Sequence, residues 1–119
     1  MSIIAAVAES REGELALHAG IEEARTRRED LIIFNLGLTP IKPADVPTDI
    51  SWRAIEREGR ADRNPVDALL EEISENRTVT RVVIGLRKRS PMGKALLGSL
   101  SQRILLNSPV PVLAVRPQT

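Results

Sequence analysis

Residues 81–117 read RVVIGLRKRSPMGKALLGSLSQRILLNSPVPVLAVRP. The β-branched run Val82–Ile84 is typical of a parallel strand that is covered on both faces. Gly85 ends this predicted strand, and at the carboxyl end of such a strand the chain turns toward a crevice where ligands bind. Gly98 and Ser99 then stand at or near a helix start, where free backbone N–H groups and a hydroxyl favour a phosphate. The segment therefore predicts the phosphate-binding half of an α/β sheet.

This stretch resembles the universal stress protein family, whose nucleotide-binding members carry G-x2-G-x9-G-[ST] before an apolar helix and a Pro-Val strand. Gly85 and Gly98-Ser99 hold the first and last positions of that motif, whereas Lys88 stands at its middle glycine. Further agreement comes from Arg89-Ser90, Leu96-Leu97, Gln102–Leu105 and Pro109–Leu113. A co-linear match of this length indicates a family far more strongly than two glycines do.

The resemblance implies a stress-response or regulatory protein that is not an enzyme and that binds an adenine nucleotide in some members. The implied ligand is ATP or AMP, with Mg²⁺ only if ATP is bound. The backbone near Ala6 and Leu36 is expected to hold the base and ribose. The full set of expected nucleotide contacts is Ala6, Ala8, Leu36, Gly85, Arg87, Lys88, Gly98, Ser99, Leu100 and Ser101.

Two departures from the family pattern predict weak or altered nucleotide binding. Nucleotide-binding members usually carry Asp after the first strand, in a V-D-G-S type sequence, and Ala8 holds that position here. Ala8 cannot accept the hydrogen bonds that Asp would accept from the nucleotide, and Glu9 adds a negative side chain nearby. Lys88 lacks the conformational freedom of the glycine it replaces, although its ammonium offers a point charge to a phosphate.

The composition fits one domain over residues 1–119, with 42% hydrophobic residues and a formal net charge of +1. Such a charge gives no bulk attraction to nucleic acid or membrane, and no apolar run approaches the ~20 residues that span a bilayer. Trp52 and Phe34 are the only aromatic residues, which argues against stacking of single-stranded bases. We expect a cytoplasmic protein that binds neither nucleic acid nor membrane.

No catalytic group of residues is indicated by the sequence. His18 is the only histidine and cysteine is absent, so neither a metal site nor a Ser-His-Asp arrangement is suggested. No carboxylate is identifiable beside the glycines for phosphoryl transfer. The alternative to a nucleotide-binding protein is therefore a homodimeric protein-interaction module that binds no nucleotide.

The pattern predicts a single-domain α/β fold with an open five-stranded, mostly parallel sheet and helices on both faces. The strand order 3-2-1-4-5 is what the resemblance implies. Helices are expected after Ser10, from Pro65 and over Leu100–Leu105. Strands are expected at Ile3–Val7, Leu31–Leu36, Ile50–Ala54, Arg81–Ile84 and Pro109–Val115.

The segment Gly37–Asp49 is predicted to be a crossing loop, because Pro40, Pro43 and Pro47 interrupt any helix there. The second helix of the family is therefore expected to be missing. The predicted strand Ile50–Ala54 has a helical alternative, since Trp52–Arg57 is also compatible with a helix.

The last predicted strand contains two prolines, which confine it to a sheet edge. An apolar edge of this kind tends to be paired or covered, and many members of the family dimerise by antiparallel contact of this strand. The sequence therefore predicts a homodimer through Val110, Val112, Leu113 and Val115.

Overall fold

The computed structural model describes residues 1–56, 64–87 and 98–117. The sheet has the order β3-β2-β1-β4-β5, and each of its neighbouring pairs is parallel. Its strands are β1 (Ser2–Val7), β2 (Asp30–Asn35), β3 (Trp52–Ile55), β4 (Val79–Gly85) and β5 (Val112–Val115). The helices of the described residues are α1 (Arg11–Arg27), α2 (Pro65–Glu75), α3 (Ser99–Asn107) and a short 3-10 helix at Pro43–Asp45. The predicted fold class and strand order are confirmed.

Helix α1 covers one face of the sheet and lies over β1 and β4. Ser10 begins it, because its hydroxyl accepts a hydrogen bond from the Gly13 N–H at 3.3 Å. A stripe of small residues, Ala16, Gly20 and Ala24, is buried against the sheet. The helix ends at Arg28, which adopts the left-handed conformation with φ of 55°.

Helices α2 and α3 cover the opposite face. The Asn64 side chain caps α2 by accepting from the Val66 and Asp67 N–H groups, and Pro65 occupies the first helical turn. An ion pair between Arg103 and Asp67 links the two helices on their exposed side. The core on this face joins Val66, Leu69, Ile73 and Ile104 to the strand residues Ile4, Ile32, Phe34, Val82 and Ile84.

A loop replaces the second helix, as the prolines predict. Beyond β2 the chain forms no regular element before β3 except the 3-10 helix of three residues. Val46 is only 5% exposed, and Ile41 and Ile50 pack against the same core cluster as α1. The loop thus covers the part of this face beside α1, because three apolar side chains substitute for a helix.

Both edge strands begin later in the sequence than predicted, and β3 begins at Trp52 rather than Ile50. Trp52–Ile55 pairs with β2, so the strand prediction is confirmed and the helical alternative is wrong for these residues. Strand β5 begins at Val112 rather than Pro109. Pro109 and Pro111 lack the N–H that a ladder requires, although the Pro111 carbonyl still accepts from the Val82 N–H at 3.0 Å.

Candidate functional site

A crevice lies at the carboxyl ends of β1 and β4, the two strands from which the chain departs to opposite faces of the sheet. Strand β1 leads into α1, whereas β4 is followed by α3 on the other face. Ligands of open α/β sheets bind at such a switch point. The cavity there has a volume of about 150 Å³. Its described lining consists of Ala6, Ala8, Glu12, Gly13, Leu36, Ile84, Gly85, Arg87, Gly98, Ser99, Leu100, Ser101 and Ile104.

The residues predicted to contact a nucleotide are brought together in this crevice. Nine of the ten line it, while Lys88 lies outside the described residues, as do the predicted family matches at 89–90 and 96–97. Sequence reasoning missed Glu12, Gly13, Ile84 and Ile104. Gly13 lies in the first turn of α1, and a glycine at such a position often marks close packing. That signal could have identified this turn as a wall of the crevice.

The start of α3 forms one wall and suits an anion. Gly98 is its N-cap and provides no side-chain hydrogen bond, while its carbonyl accepts from the Gln102 N–H at 2.8 Å. The preceding N–H groups of the first turn have no partner within a helix. These groups carry the positive end of the helix dipole, so this wall favours a phosphate or another anion.

Arg87 adds positive charge beside the same helix start. Its guanidinium lies against Gly98, since a Cβ on Gly98 would stand 3.1 Å from the Arg87 Nε. Within the described residues Arg87 makes no ion pair. An exposed guanidinium without an ion-pair partner among the described residues is well suited to pair with phosphate oxygens.

Gly85 has a role in packing as well as a place in the crevice. A Cβ on this residue would overlap the backbone carbonyl of Glu12 in the first turn of α1. Its own carbonyl accepts a hydrogen bond from the Ser101 hydroxyl at 3.1 Å. The absence of a side chain at Gly85 therefore lets α1 approach the end of β4, while the Ser101 hydrogen bond joins α3 to the same residue.

Ala8 and Glu9 follow β1 but face different surroundings. Ala8 lines the crevice without a polar side chain. Glu9 does not line it, and its Oε1 instead accepts from the backbone N–H groups of Leu38, at 2.9 Å, and Thr39. Hydrogen bonds from the side chain and backbone of Thr39 and from the backbone of Leu38 hold the pKa of Glu9 below its ordinary value. Glu9 thus keeps its negative charge next to the crevice, but its carboxylate is directed to the loop and does not line the cavity.

The described residues show no cluster of three or more His, Asp or Glu side chains that could hold a metal ion. His18 lies on the exposed surface of α1. Among the described helices, none combines the length and apolar character that a membrane crossing needs.

The fold and its crevice define a doubly wound α/β protein with a ligand-type cleft between β1 and β4. Residues 54–116 match the universal stress protein family. A universal stress protein of Mycolicibacterium smegmatis is 35% identical over 117 residues, covering 88% of this chain and 89% of that protein. The chain therefore belongs to the universal stress protein family.

The solved structure of a universal stress protein from Archaeoglobus fulgidus has the same fold. It aligns with a TM-score of 0.65 and 24% identity, and the alignment covers 96% of this chain and 97% of that one. The likeness supports the strand order and the placement of the helices.

Proposed function

We propose that this member of the universal stress protein family binds an adenine nucleotide weakly and acts as a regulator without catalysing a reaction. The observation that carries the proposal is the convergence of nine expected contact residues on a single crevice. Its lining combines two chemistries, because the start of α3 and Arg87 favour an anion while Ala6 and Leu36 are apolar. A nucleotide has the same division between phosphate and base.

The phosphates of ATP or AMP would lie at the N–H groups that follow Gly98, close to the Ser99 hydroxyl and Arg87. The base and ribose would lie near the backbone of Ala6 and Leu36. Mg²⁺ would enter only with ATP, bound to its phosphates. The cavity of about 150 Å³ is smaller than the ~300–1,000 Å³ of pockets that enclose a drug-sized ligand. Much of the nucleotide would therefore stay in solvent, which is consistent with weak binding.

Ala8 supports the same conclusion about affinity. It stands on the crevice wall where the resemblance would place an aspartate, and it offers no acceptor to the ribose or base. A missing hydrogen-bond acceptor of this kind commonly costs about tenfold or more in affinity.

The proposal that nothing is turned over rests on the surroundings of Glu12, the single carboxylate among the described lining residues. Within the described residues no second acidic or imidazole group accompanies it on the crevice wall. General acid–base chemistry or metal-assisted phosphoryl transfer needs such partners. Incubation of the protein with ATP should therefore yield no ADP or AMP above the rate in buffer.

Two experiments test binding. Mass spectrometry of protein purified under native conditions asks whether AMP, ADP or ATP is carried along. Titration then compares the wild type with a double variant, Ser99→Ala plus Gly98→Val, which removes a hydroxyl and places an isopropyl group at the start of α3. Among the described residues, the atoms nearest to a Cβ at residue 98 belong to the flexible Arg87 side chain, so we expect the fold to survive. Unchanged affinity in the double variant would place the ligand elsewhere.

We also propose that the protein is a homodimer through the outer edge of β5. The carbonyls of Pro111 and Val115 bond to β4, so the intervening Val112 and Ala114 present their backbone groups outward. This edge carries no charged residue, whereas the opposite edge strand β3 exposes Arg53, and charge is a common means of blocking edge pairing. Antiparallel pairing of two copies of β5 would satisfy the free groups.

The second candidate function is a homodimeric interaction module without a nucleotide. The apolar edge of β5 favours it independently of the crevice. Light scattering and native mass spectrometry separate the two, because a dimer that never carries or binds nucleotide would support the module alone.

A further inference from the structure

The loop that replaces the second helix is held by two separate groups of hydrogen bonds, one to the sheet and one to the turn between β1 and α1. On one side, the Asn35 side chain accepts from the Gly37 N–H at 2.8 Å and donates to the Thr39 carbonyl at 2.7 Å. Glu56, at the end of β3, accepts from Asn35 at 2.7 Å and from the Ile41 N–H at 3.1 Å. These bonds join the loop to the β2–β3 side of the sheet.

Glu9 provides the other attachment, to the turn between β1 and α1. The Leu36 N–H still bonds to the Val7 carbonyl at 2.8 Å, which is the last ladder contact between β2 and β1. Beyond it, the Glu9 carboxylate accepts from Leu38 and Thr39 and so extends the attachment past the ends of both strands. Hydrogen bonds to a charged acceptor are about twice as strong as neutral ones.

The β1–α1 turn and the end of β2, which Glu9 joins through the loop, both contribute walls of the crevice. Ala8, the neighbour of Glu9, lines it from the β1–α1 turn, and Leu36 lines it from the end of β2 with only 9% of its surface exposed. Gly37 makes the approach of the two segments possible, because a Cβ on Gly37 would overlap the Glu9 side chain. The carboxylate thus joins the wall that carries Leu36 to the wall that carries Ala8.

We infer that Glu9 is a positioning residue of the proposed nucleotide site, which holds the Leu36 wall at a fixed distance from the Ala8 wall. The identity of the ligand rests on the proposed function, whereas the distance between the two walls does not depend on it. Without Glu9 the loop stays bonded to Asn35 and Glu56, so the fold should persist while the loop moves relative to α1. Binding of the base and ribose should then weaken.

The experiment uses the full chain and the variants Glu9→Ala, Glu9→Gln and Glu14→Ala. Gln keeps an acceptor oxygen and should restore most of the wild-type behaviour. Glu14 is an exposed glutamate of the first turn of α1 whose side chain has no hydrogen-bond partner among the described residues. Its removal controls for the lost charge.

The first measurement needs no ligand. Because the chain contains no cysteine, His18→Cys and Leu38→Cys allow spin labels on α1 and on the loop without further changes, and both side chains are exposed. Glu9→Ala should broaden the distance distribution between the labels and speed amide exchange at Leu38 and Thr39. A distribution as narrow as in the wild type would overturn the inference.

The second measurement is the affinity for AMP by titration calorimetry. Glu9→Ala should weaken it about tenfold, equivalent to about 1.4 kcal/mol, while Glu9→Gln and Glu14→Ala stay close to the wild type. Wild-type affinity in Glu9→Ala would overturn the inference and leave the proposed function standing. A wild type that binds no AMP would overturn the proposed function, and the positioning role would then be decided by the label distances alone.

Discussion

The α carbon of Gly85 lies so close to the backbone carbonyl of Glu12 that no side chain fits between them. This contact places the first turn of α1 directly on the end of β4. Gly85, the first glycine of the family motif, therefore has a packing role that does not depend on a ligand. It holds together two of the elements that line the crevice.

Replacement of Gly85 by alanine should destabilise the protein by about 2 kcal/mol, because the obstacle is backbone and cannot rotate away. Gly98→Ala is the matched control, since the described atoms nearest to the new Cβ belong to the flexible Arg87 side chain. An alanine at that N-cap should cost about 0.5 kcal/mol. Urea denaturation of the two variants measures the difference, and equal midpoints would contradict the packing role of Gly85.

Introduction of the family residues should tighten nucleotide binding. Ala8→Asp supplies the missing acceptor on the crevice wall, and Lys88→Gly restores the middle glycine of the motif. We expect the double variant to bind AMP at least about tenfold more tightly than the wild type. Ala8→Asn is a useful control, because it adds a polar side chain without the carboxylate. If ATP stayed bound to the wild type through purification, the alanine at position 8 would not have weakened nucleotide binding.

Stability should fall in acid partly through Glu9. Its pKa in the folded protein is lowered from 4.5 by the hydrogen bonds of Thr39 and Leu38. A lowered carboxyl pKa stabilises the fold at pH values above the ordinary pKa, and the contribution is lost as the pH falls through the folded-state pKa. Glu9→Gln should therefore show a smaller loss of stability between neutral pH and pH values below 4.5 than the wild type does.

Glu14→Gln is the control for that experiment, because it removes an equal charge that accepts no backbone hydrogen bond among the described residues. Urea midpoints across the pH range give the comparison. A pH profile of Glu9→Gln that coincides with the wild type would mean that the loop contact contributes nothing to acid sensitivity.

The proposed homodimer should be disrupted by Ala114→Pro. Ala114 is exposed and its backbone N–H faces away from β4, so proline removes an outward donor with little effect on the core. Val112 and Leu113 are poorer targets, because both pack partly against the core. Ala114→Val keeps the donor and should remain dimeric. Light scattering at micromolar concentration measures the state, and a monomeric wild type would defeat the proposal.

The strands and the missing helix were predictable because their signals are local. Val82–Ile84 is a continuous β-branched run, which suits a strand covered on both faces. Three prolines between Gly37 and Asp49 exclude a long helix regardless of what surrounds them. The start of β5 was predicted too early, at Pro109 instead of Val112. Pro109 and Pro111 fit the apolar pattern of a strand, but they lack the N–H groups that would complete the hydrogen-bond ladder with β4.

The amino-acid sequence by itself determined the strands and helices, which follow from apolar periodicity. Its resemblance to a family motif then gave the family, the strand order and most of the crevice lining. The tertiary structure alone decided which partners the polar groups find. The sequence predicted a negative side chain at Glu9 but not its bonds to Leu38 and Thr39, and it gave no indication that Glu12 lines the crevice. Neighbours in sequence can point to different surroundings, because the direction of each side chain is fixed only when helices, strands and loops are packed together.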